Sequence, residues 1–348
     1  MKRPDLKQTT ASIRAWYAQH KRDLPWRKGR DPYRIWISEI MLQQTRIEAV
    51  VPYYERFLRE LPNVKILADV SDDRLMKLWE GLGYYSRARN LKRAAQTIMT
   101  QYSEEMPRTA EELKKLPGIG DYTAGSIASI AFGEPEPAVD GNVMRVMMRL
   151  LACGDDIMEQ KNRRAVTQML KEVYPRGEDA ALLTEGLMEL GERICIPNGV
   201  PLCGACPASE QCLAHAEGKE QDYPVRSGKK ARRIEEKTVL LLRCGDRFAL
   251  QKRPAKGLLA GLWGFPVSEG HLTEEQVSAE FAASDPLFVT PLGKAKHIFT
   301  HIEWHMTGYL VECKKASPEY LWVTKEEAEA EYSIPTAFKF YKKQLQNL

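Results

Sequence analysis

The sequence predicts two successive domains, the first all-α and the second α+β. Three observations carry this. At 348 residues the chain exceeds what one hydrophobic core ordinarily serves. Up to about residue 215, apolar residues recur at three- and four-residue spacing, the period of a helix with one buried face. After Thr238 the pattern shortens to that of strands.

The helical period is plain in Ile35-Trp36-Ile37-Ser38-Glu39-Ile40-Met41-Leu42 and in Leu75-Met76-Lys77-Leu78-Trp79. Start signals accompany it. Ser71 before Asp72 and Asp73 places acids in a first turn, and Thr109-Ala110-Glu111-Glu112 reads as a capping box. These features assign residues 1–225 to a helical domain. Residues 226–237 have almost no apolar content and six basic side chains. That composition predicts a linker, either simply solvated or touching phosphate.

The domain at 238–348 opens on a β-hairpin, Thr238 to Cys244 and Arg247 to Gln251, turning at Gly245-Asp246. Thr273 to Gln276 is a second capping box, with Leu272 and Val277 as its hydrophobic staple. Further strands are expected between His297 and Cys313.

With 43% hydrophobic and 28% charged residues the composition is that of a soluble globular protein. No apolar run reaches the roughly 18 residues of a membrane span. Met1-Lys2-Arg3-Pro4-Asp5 lacks the apolar stretch of a signal peptide, so a cytoplasmic location is expected. A net charge of +4 does not single out nucleic acid as a partner. Local basic clusters speak more directly: Arg87, Arg89, Lys92 and Arg93 crowd one segment and suggest phosphate contacts.

Of seven cysteines, Cys195, Cys203, Cys206 and Cys212 fall within eighteen residues. In a reducing compartment such crowding points to a metal or metal cluster, not to disulfides. Four thiolates suit an iron–sulfur cluster or tetrahedral zinc. Cys153, Cys244 and Cys313 stand apart and read as buried or inert thiols.

Three segments carry chemistry. Leu116-Pro117-Gly118-Ile119-Gly120-Asp121-Tyr122-Thr123-Ala124-Gly125 lies between two helical stretches. Its glycines permit a tight turn whose N–H groups, with the following helix's positive end, suit a phosphate; an ordinary helix–helix connection has the same composition. Glu39 sits among Ile35, Trp36, Leu42 and Gln43 at helical spacing. Desolvation there would raise its pKa towards that of a general acid, whereas on an outer helix face it would stay an ordinary carboxylate. Asp140, before Gly141-Asn142-Val143, reads as a helix N-cap, a role compatible with stabilising a nearby cation.

Four strings occur in order: Ser38-Glu39-Ile40-Met41-Leu42-Gln43-Gln44-Thr45, Gly81-Leu82-Gly83-Tyr84-Tyr85-Ser86, the glycine hairpin, and Val139-Asp140-Gly141-Asn142. Together they resemble the adenine DNA glycosylases of the helix–hairpin–helix base-excision superfamily, over nearly the whole chain. The resemblance implies a helix–hairpin–helix catalytic domain with an iron–sulfur loop, followed by a Nudix-like domain. The implied activity is monofunctional removal of adenine mispaired with 8-oxoguanine or guanine. The implied enzyme is a monomer acting on double-stranded DNA.

Carried onto matching positions, the resemblance makes Glu39 the acid that protonates adenine and Asp140 the stabiliser of an oxocarbenium-like sugar. Tyr122 and Asn142 line the same pocket. Trp26, Arg27, Leu42 and Thr45 belong to the substrate site, with Arg27 touching the flipped base. Gln44 and Tyr84 enter the duplex, and Gly118 and Gly120 bind phosphate. Apart from the resemblance, Trp26 and Tyr84 would most often be core aromatics and Gln44 a helix surface residue. Endonuclease III-like relatives, which act as lyases on oxidised pyrimidines, carry a lysine where this chain has Tyr122. A phenol cannot form a Schiff base. A non-enzymatic iron–sulfur regulator is the remaining alternative.

The same resemblance makes Cys195, Cys203, Cys206 and Cys212 ligands of one [4Fe–4S] cluster, although the first gap is seven residues where six is commoner. In the second domain, Leu250 to Arg253 and Gly257 to Pro266 resemble a Nudix fold. Glu274, Glu275 and Glu280 do not reproduce its metal-binding signature, so no nucleotide hydrolysis is expected. Phe299-Thr300-His301 matches the family's lesion-reading loop, with Thr300 replacing a serine. His297 and His305 lie near without the spacing of a metal site.

Overall fold

The computed structural model describes residues 4–228 and 231–346. The chain divides into two compact units. One comprises Met1–Asp69 with Arg89–Gly228, and the other Val70–Ala88 with Lys229–Leu348. In chain order the helices begin with α1 (Leu6–His20), α2 (Pro32–Leu42), α3 (Ile47–Glu60), α4 (Val64–Asp69) and α5 (Asp72–Trp79). They continue with α6 (Ser86–Gln101), α7 (Ala110–Leu113), α8 (Asp121–Phe132), α9 (Gly141–Leu150) and α10 (Gln160–Lys171). The last are α11 (Glu178–Arg193), α12 (Leu213–Ala216), α13 (Glu274–Glu280), α14 (Lys325–Glu331) and α15 (Lys339–Gln346).

The first unit is all-α. Its core joins Val143, Met144 and Met147 of α9 to Leu183, Leu187 and Leu190 of α11 and Ile13 of α1, all buried. Gly186 lets α1 and α11 approach: a Cβ there would lie 3.1 Å from Ile13 and Tyr17 side chains. Start signals behave as their chemistry requires. Asp31 and Asp140 cap α2 and α9 through their carboxylates. Thr109 accepts from the Glu112 N–H, yet the reciprocal half of the predicted capping box does not form. The Glu112 carboxylate turns instead to Tyr102 and Lys115, at 3.0 and 2.5 Å.

The second unit is α+β. Its strands are β1 (Arg233–Cys244), β2 (Arg247–Lys252), β3 (Trp263–Gly264), β4 (Val267–Glu269), β5 (Pro286–Ile298), β6 (Ile302–Cys313) and β7 (Leu321–Val323). The main order is β3-β2-β1-β6-β5, with β1 and β6 parallel. Along β1, Val239 and Leu241 enter one core with Phe338 and Tyr341, while Leu240 and Leu242 enter another with Val277 and Phe281. Burial on both faces explains the unbroken apolar run Val239 to Leu242. The predicted hairpin forms, with Cys244 opposite Arg247. So does the Thr273–Gln276 capping box.

Two boundaries differ from the sequence reading. Arg233–Lys237, expected within the linker, are strand, because β6 supplies parallel partners from Ile302 to Met306. Lys229 and Lys230 of that linker lie outside the described residues. Val70–Ala88 groups with the sheet unit, since Lys77 donates to the Tyr332 carbonyl and Glu80 accepts from the Ile334 N–H. A third correction concerns Arg87. It is buried, donates to the carbonyls of Leu82 and Gly83, and lies over the Trp79 ring, so it is not placed to reach a phosphate.

Candidate active site

The helical unit contains a cleft of about 980 Å³, large enough for a small ligand. Of the residues singled out from sequence, Trp26, Arg27, Glu39, Leu42, Gln44, Thr45, Tyr122, Asp140 and Asn142 all line it. They come from four places in the chain, so the fold assembles what the sequence disperses.

Glu39 occupies the last turns of α2 and is only 6% exposed. Burial pushes its carboxyl up to about 7, with Asp140 and Glu185 adding to the rise; the Tyr122 and Ser126 hydroxyls pull against it. Tyr122, in the first turn of α8, donates to Glu39 Oε2 at 2.6 Å. Burial and the Glu39 carboxyl hold that phenol well above its ordinary value. It therefore stays a donor at any physiological pH.

Asp140 accepts from the Val143 N–H at 2.8 Å and from Asn142 Nδ2 at 2.9 Å. Burial raises its pKa, opposed by these bonds and by Arg145. Arg145 extends the chain of contacts. It donates to Asn142 Oδ1 at 2.9 Å, and to the carbonyls of Cys195 and Gly191 at 2.7 Å each. The N-cap role and the cleft position of Asp140 thus coexist.

Arg27 is engaged: Nη2 meets Glu189 Oε2 at 2.7 Å and the guanidinium lies over the Tyr17 ring. Arg22 grips both Glu189 oxygens, at 2.6 and 2.8 Å. Burial alone would raise the Glu189 carboxyl, but these arginines more than reverse it and hold it low. Trp26 is both cleft wall and core aromatic, edge-on to Tyr54. Gln44 is exposed at the rim, in left-handed backbone (φ 59°).

Sequence reasoning missed Arg22, Glu185, Met188 and Glu192 of the cleft wall. A signal for three of them exists: 185, 188 and 192 share one face of a helix, and two of the three are acids set among leucines where apolar residues are expected.

The glycine hairpin links α7 to α8. Gly118 has φ 80°, and a Cβ there would fall 2.6 Å from Asn90 Cβ, so only glycine fits. Gly120 caps α8 without a side-chain acceptor, leaving first-turn N–H groups available to a ligand.

Cys195, Cys203, Cys206 and Cys212 line one small cavity together with Arg149, His215 and Glu220, and none is in a disulfide. Burial, with neighbouring sulfurs adding, pushes Cys206 up to about 12. Cys203 rises to about 11, by burial first and then Glu220. Sulfurs so crowded disfavour one another's charge, which a cationic metal centre would relieve. Arg149 donates to Cys195 Sγ at 3.2 Å. His215 and Glu220 place ligand atoms within 4.8 Å of Cys203 Sγ, a second donor set beside the thiols.

In the sheet unit, Phe299, Thr300 and His301 form the turn between β5 and β6. Phe299 packs edge-on against His297 and Trp304. Tyr84 is 47% exposed, hence no core aromatic, and its hydroxyl lies 3.1 Å from Thr300 Oγ1. No helix among the described residues is long and apolar enough to cross a membrane.

Comparison with known proteins finds two family matches along the chain. Residues 37–176 match the HhH-GPD superfamily of base excision DNA repair proteins, and 238–344 match the NUDIX domain. The adenine DNA glycosylase of Homo sapiens is 32% identical, over 96% of this chain and 74% of that one. The adenine DNA glycosylase of Arabidopsis thaliana is 36% identical, over 82% and 54%. Among solved structures, a thermostable thymine-DNA glycosylase is 27% identical, covering 61% of this chain and 98% of its own, with a TM-score of 0.54. The chain belongs to the adenine DNA glycosylase family and is a DNA glycosylase enzyme.

Proposed function

We propose that this enzyme binds double-stranded DNA as a monomer and excises adenine paired with 8-oxoguanine or guanine, leaving the strand uncut. The carrying observation is Glu39: a buried carboxyl with its pKa near 7, bonded to Tyr122 inside the cleft. A base within a duplex cannot reach such a group, so it must be flipped out, at a cost of a few kcal/mol.

Glu39 would donate its proton to a ring nitrogen of the extruded adenine. The bond from base to C1′ then breaks, its electron pair leaving with adenine and the sugar becoming oxocarbenium-like. Asp140 faces that cation: at ~4 Å and an effective dielectric of ~20 the attraction is about 4 kcal/mol, roughly a thousandfold in rate. Glu39, now a carboxylate, takes a proton from the water that adds to C1′ and is restored. Tyr122 offers no amine, and among the described residues no lysine lines the cleft. The lack of an amine nucleophile there supports base removal without a Schiff-base route to strand cleavage.

Gly118 and Gly120 would bind a backbone phosphate through the hairpin. Gln44 and Tyr84 would each enter the duplex, and Phe299, Thr300 and His301 would read the lesion. Cys195, Cys203, Cys206 and Cys212 would hold a [4Fe–4S] cluster, which cross-links the loop when bound. The names of the relatives support adenine as the base removed.

The test is incubation with a duplex carrying adenine opposite 8-oxoguanine, followed by alkali. Free adenine with strand scission only after alkali is expected. Retention of every adenine would overturn the reading, and scission without alkali would replace it with a lyase.

A further inference from the structure

Ser126 is wholly buried on α8, and its hydroxyl makes no hydrogen bond of proper geometry. That is unusual twice over. Buried hydroxyls are nearly always partnered, and a serine inside a helix has a default acceptor in the carbonyl one turn back. Its neighbours use that outlet: Ser129 Oγ donates to the Gly125 carbonyl at 2.7 Å, and Ser38 Oγ to that of Ile35 at 2.8 Å. Ser126 does not.

Its place on the helix explains where the hydroxyl is directed. Ser126 follows Tyr122 by four residues, so both occupy one face of α8. That face meets Glu39, since Tyr122 reaches Glu39 Oε2. The phenol engages one carboxyl oxygen and leaves the other.

We propose that Ser126 is a positioning residue for Glu39: its hydroxyl turns to the carboxyl and donates to it once Glu39 has given up its proton. A hydroxyl hydrogen rotates freely to suit its partner, so the bond would strengthen as charge develops. Consistent with this, Ser126 acts to lower the Glu39 pKa against the dominant effect of burial. The remaining titratable and charged groups around that carboxyl are Tyr122 on α8, Asp140 before α9, Glu185 and Glu192 on α11, and Arg163 on α10. Arg22, Arg27, Arg46 and Glu48 complete the wall. None of these is altered by changing Ser126. Two hydroxyl donors, not one, would then set the pH at which Glu39 switches between acid and base.

The consequence for activity rests on the function proposed above, so the test includes a direct reading of the carboxyl. Infrared difference spectra of the full-length holoprotein, with Glu39 assigned through Glu39→Gln, are titrated for wild type, Ser126→Ala and Ser126→Thr. Alanine should raise the Glu39 pKa by roughly one unit, the scale of a hydrogen bond to a charged group, and threonine should restore it. The alkaline limb of base release should move in step. An unmoved carboxyl in folded Ser126→Ala overturns the proposal, as does an equal shift in Ser126→Thr. Absence of base release from every variant would sink the glycosylase mechanism, while the spectra would still decide the role of Ser126.

Discussion

Tyr122 and Glu39, 83 residues apart in the chain, share a 2.6 Å hydrogen bond in which the phenol donates to the carboxyl. The bond opposes burial. Burial favours the neutral acid, which can give a proton; a donor favours the carboxylate, which can accept one. Their balance leaves the group near 7, where both forms are populated and a single carboxyl can serve each half of a hydrolysis.

Replacing Tyr122 by phenylalanine removes the donor and keeps the ring. The Glu39 pKa should rise, and the alkaline limb of the single-turnover rate should move up by roughly one unit. Below about pH 6 the rate should change little, because the acid is already protonated there. A pH series of adenine release checks both parts; a limb in its original place would show that the phenol does not tune the acid.

Glu39→Gln should stop base release, a loss of at least ~1000-fold, while binding to a mispaired duplex persists. It should also change stability with a defined sign. A carboxyl raised from 4.5 to about 7 on folding binds its proton more tightly in the native state. Its contribution is complete below the unfolded value and is lost as pH climbs through about 7. Glutamine avoids that loss, so above pH 7 the variant should be more stable than wild type, by on the order of 3 kcal/mol. Thermal unfolding at pH 5 and pH 8 measures this: the difference between the proteins should widen at the higher pH.

The pattern of what was legible follows from the range of each signal. Glu39 could be suspected from its own helix, because Ile35, Trp36 and Leu42 surround it at helical spacing. Asp140 declared itself by preceding a helix. Ser126, Glu185 and Glu189 could not, since the groups that give them meaning lie in distant segments; Glu189 is tied to Arg22 across 167 residues. Arg87 misled for the converse reason. Its neighbours in sequence are basic, but its guanidinium is committed to carbonyls four and five residues back. The first residues of β1 looked like linker because charge is tolerated where a strand is paired but exposed.

The Asp140–Asn142–Arg145 chain predicts a separable defect. Arg145 satisfies the buried carbonyl of Gly191 and the half-buried carbonyl of Cys195 while orienting Asn142. Lysine keeps the charge but not the planar fork. Arg145→Lys should lower stability by roughly 2 kcal/mol, the scale of a buried acceptor left unpaired. Single-turnover release should slow by about 10-fold or more, and duplex affinity should hold. An unaltered rate in the destabilised protein would confine Arg145 to a structural role.

Tyr84 and Thr300 make the last prediction. Tyr84 holds left-handed backbone, φ 46°, beside Gly83 at φ 68°, a conformation that costs a tyrosine about 1 kcal/mol or more. Its hydroxyl meets Thr300 Oγ1 at 3.1 Å. Threonine is stiff at χ1, so the methyl that a serine would lack restricts where that oxygen can point. Thr300→Val preserves the branched shape and deletes the hydroxyl; Thr300→Ser keeps the hydroxyl and frees it. If the pair forms one surface for the opposite base, valine should reduce the preference for 8-oxoguanine over guanine by about 5- to 10-fold, the scale of one hydrogen bond. Serine should fall between valine and wild type. Competition between the two duplexes for each protein reads the ratio directly, and equal ratios for threonine and valine would remove the Thr300 hydroxyl from lesion recognition.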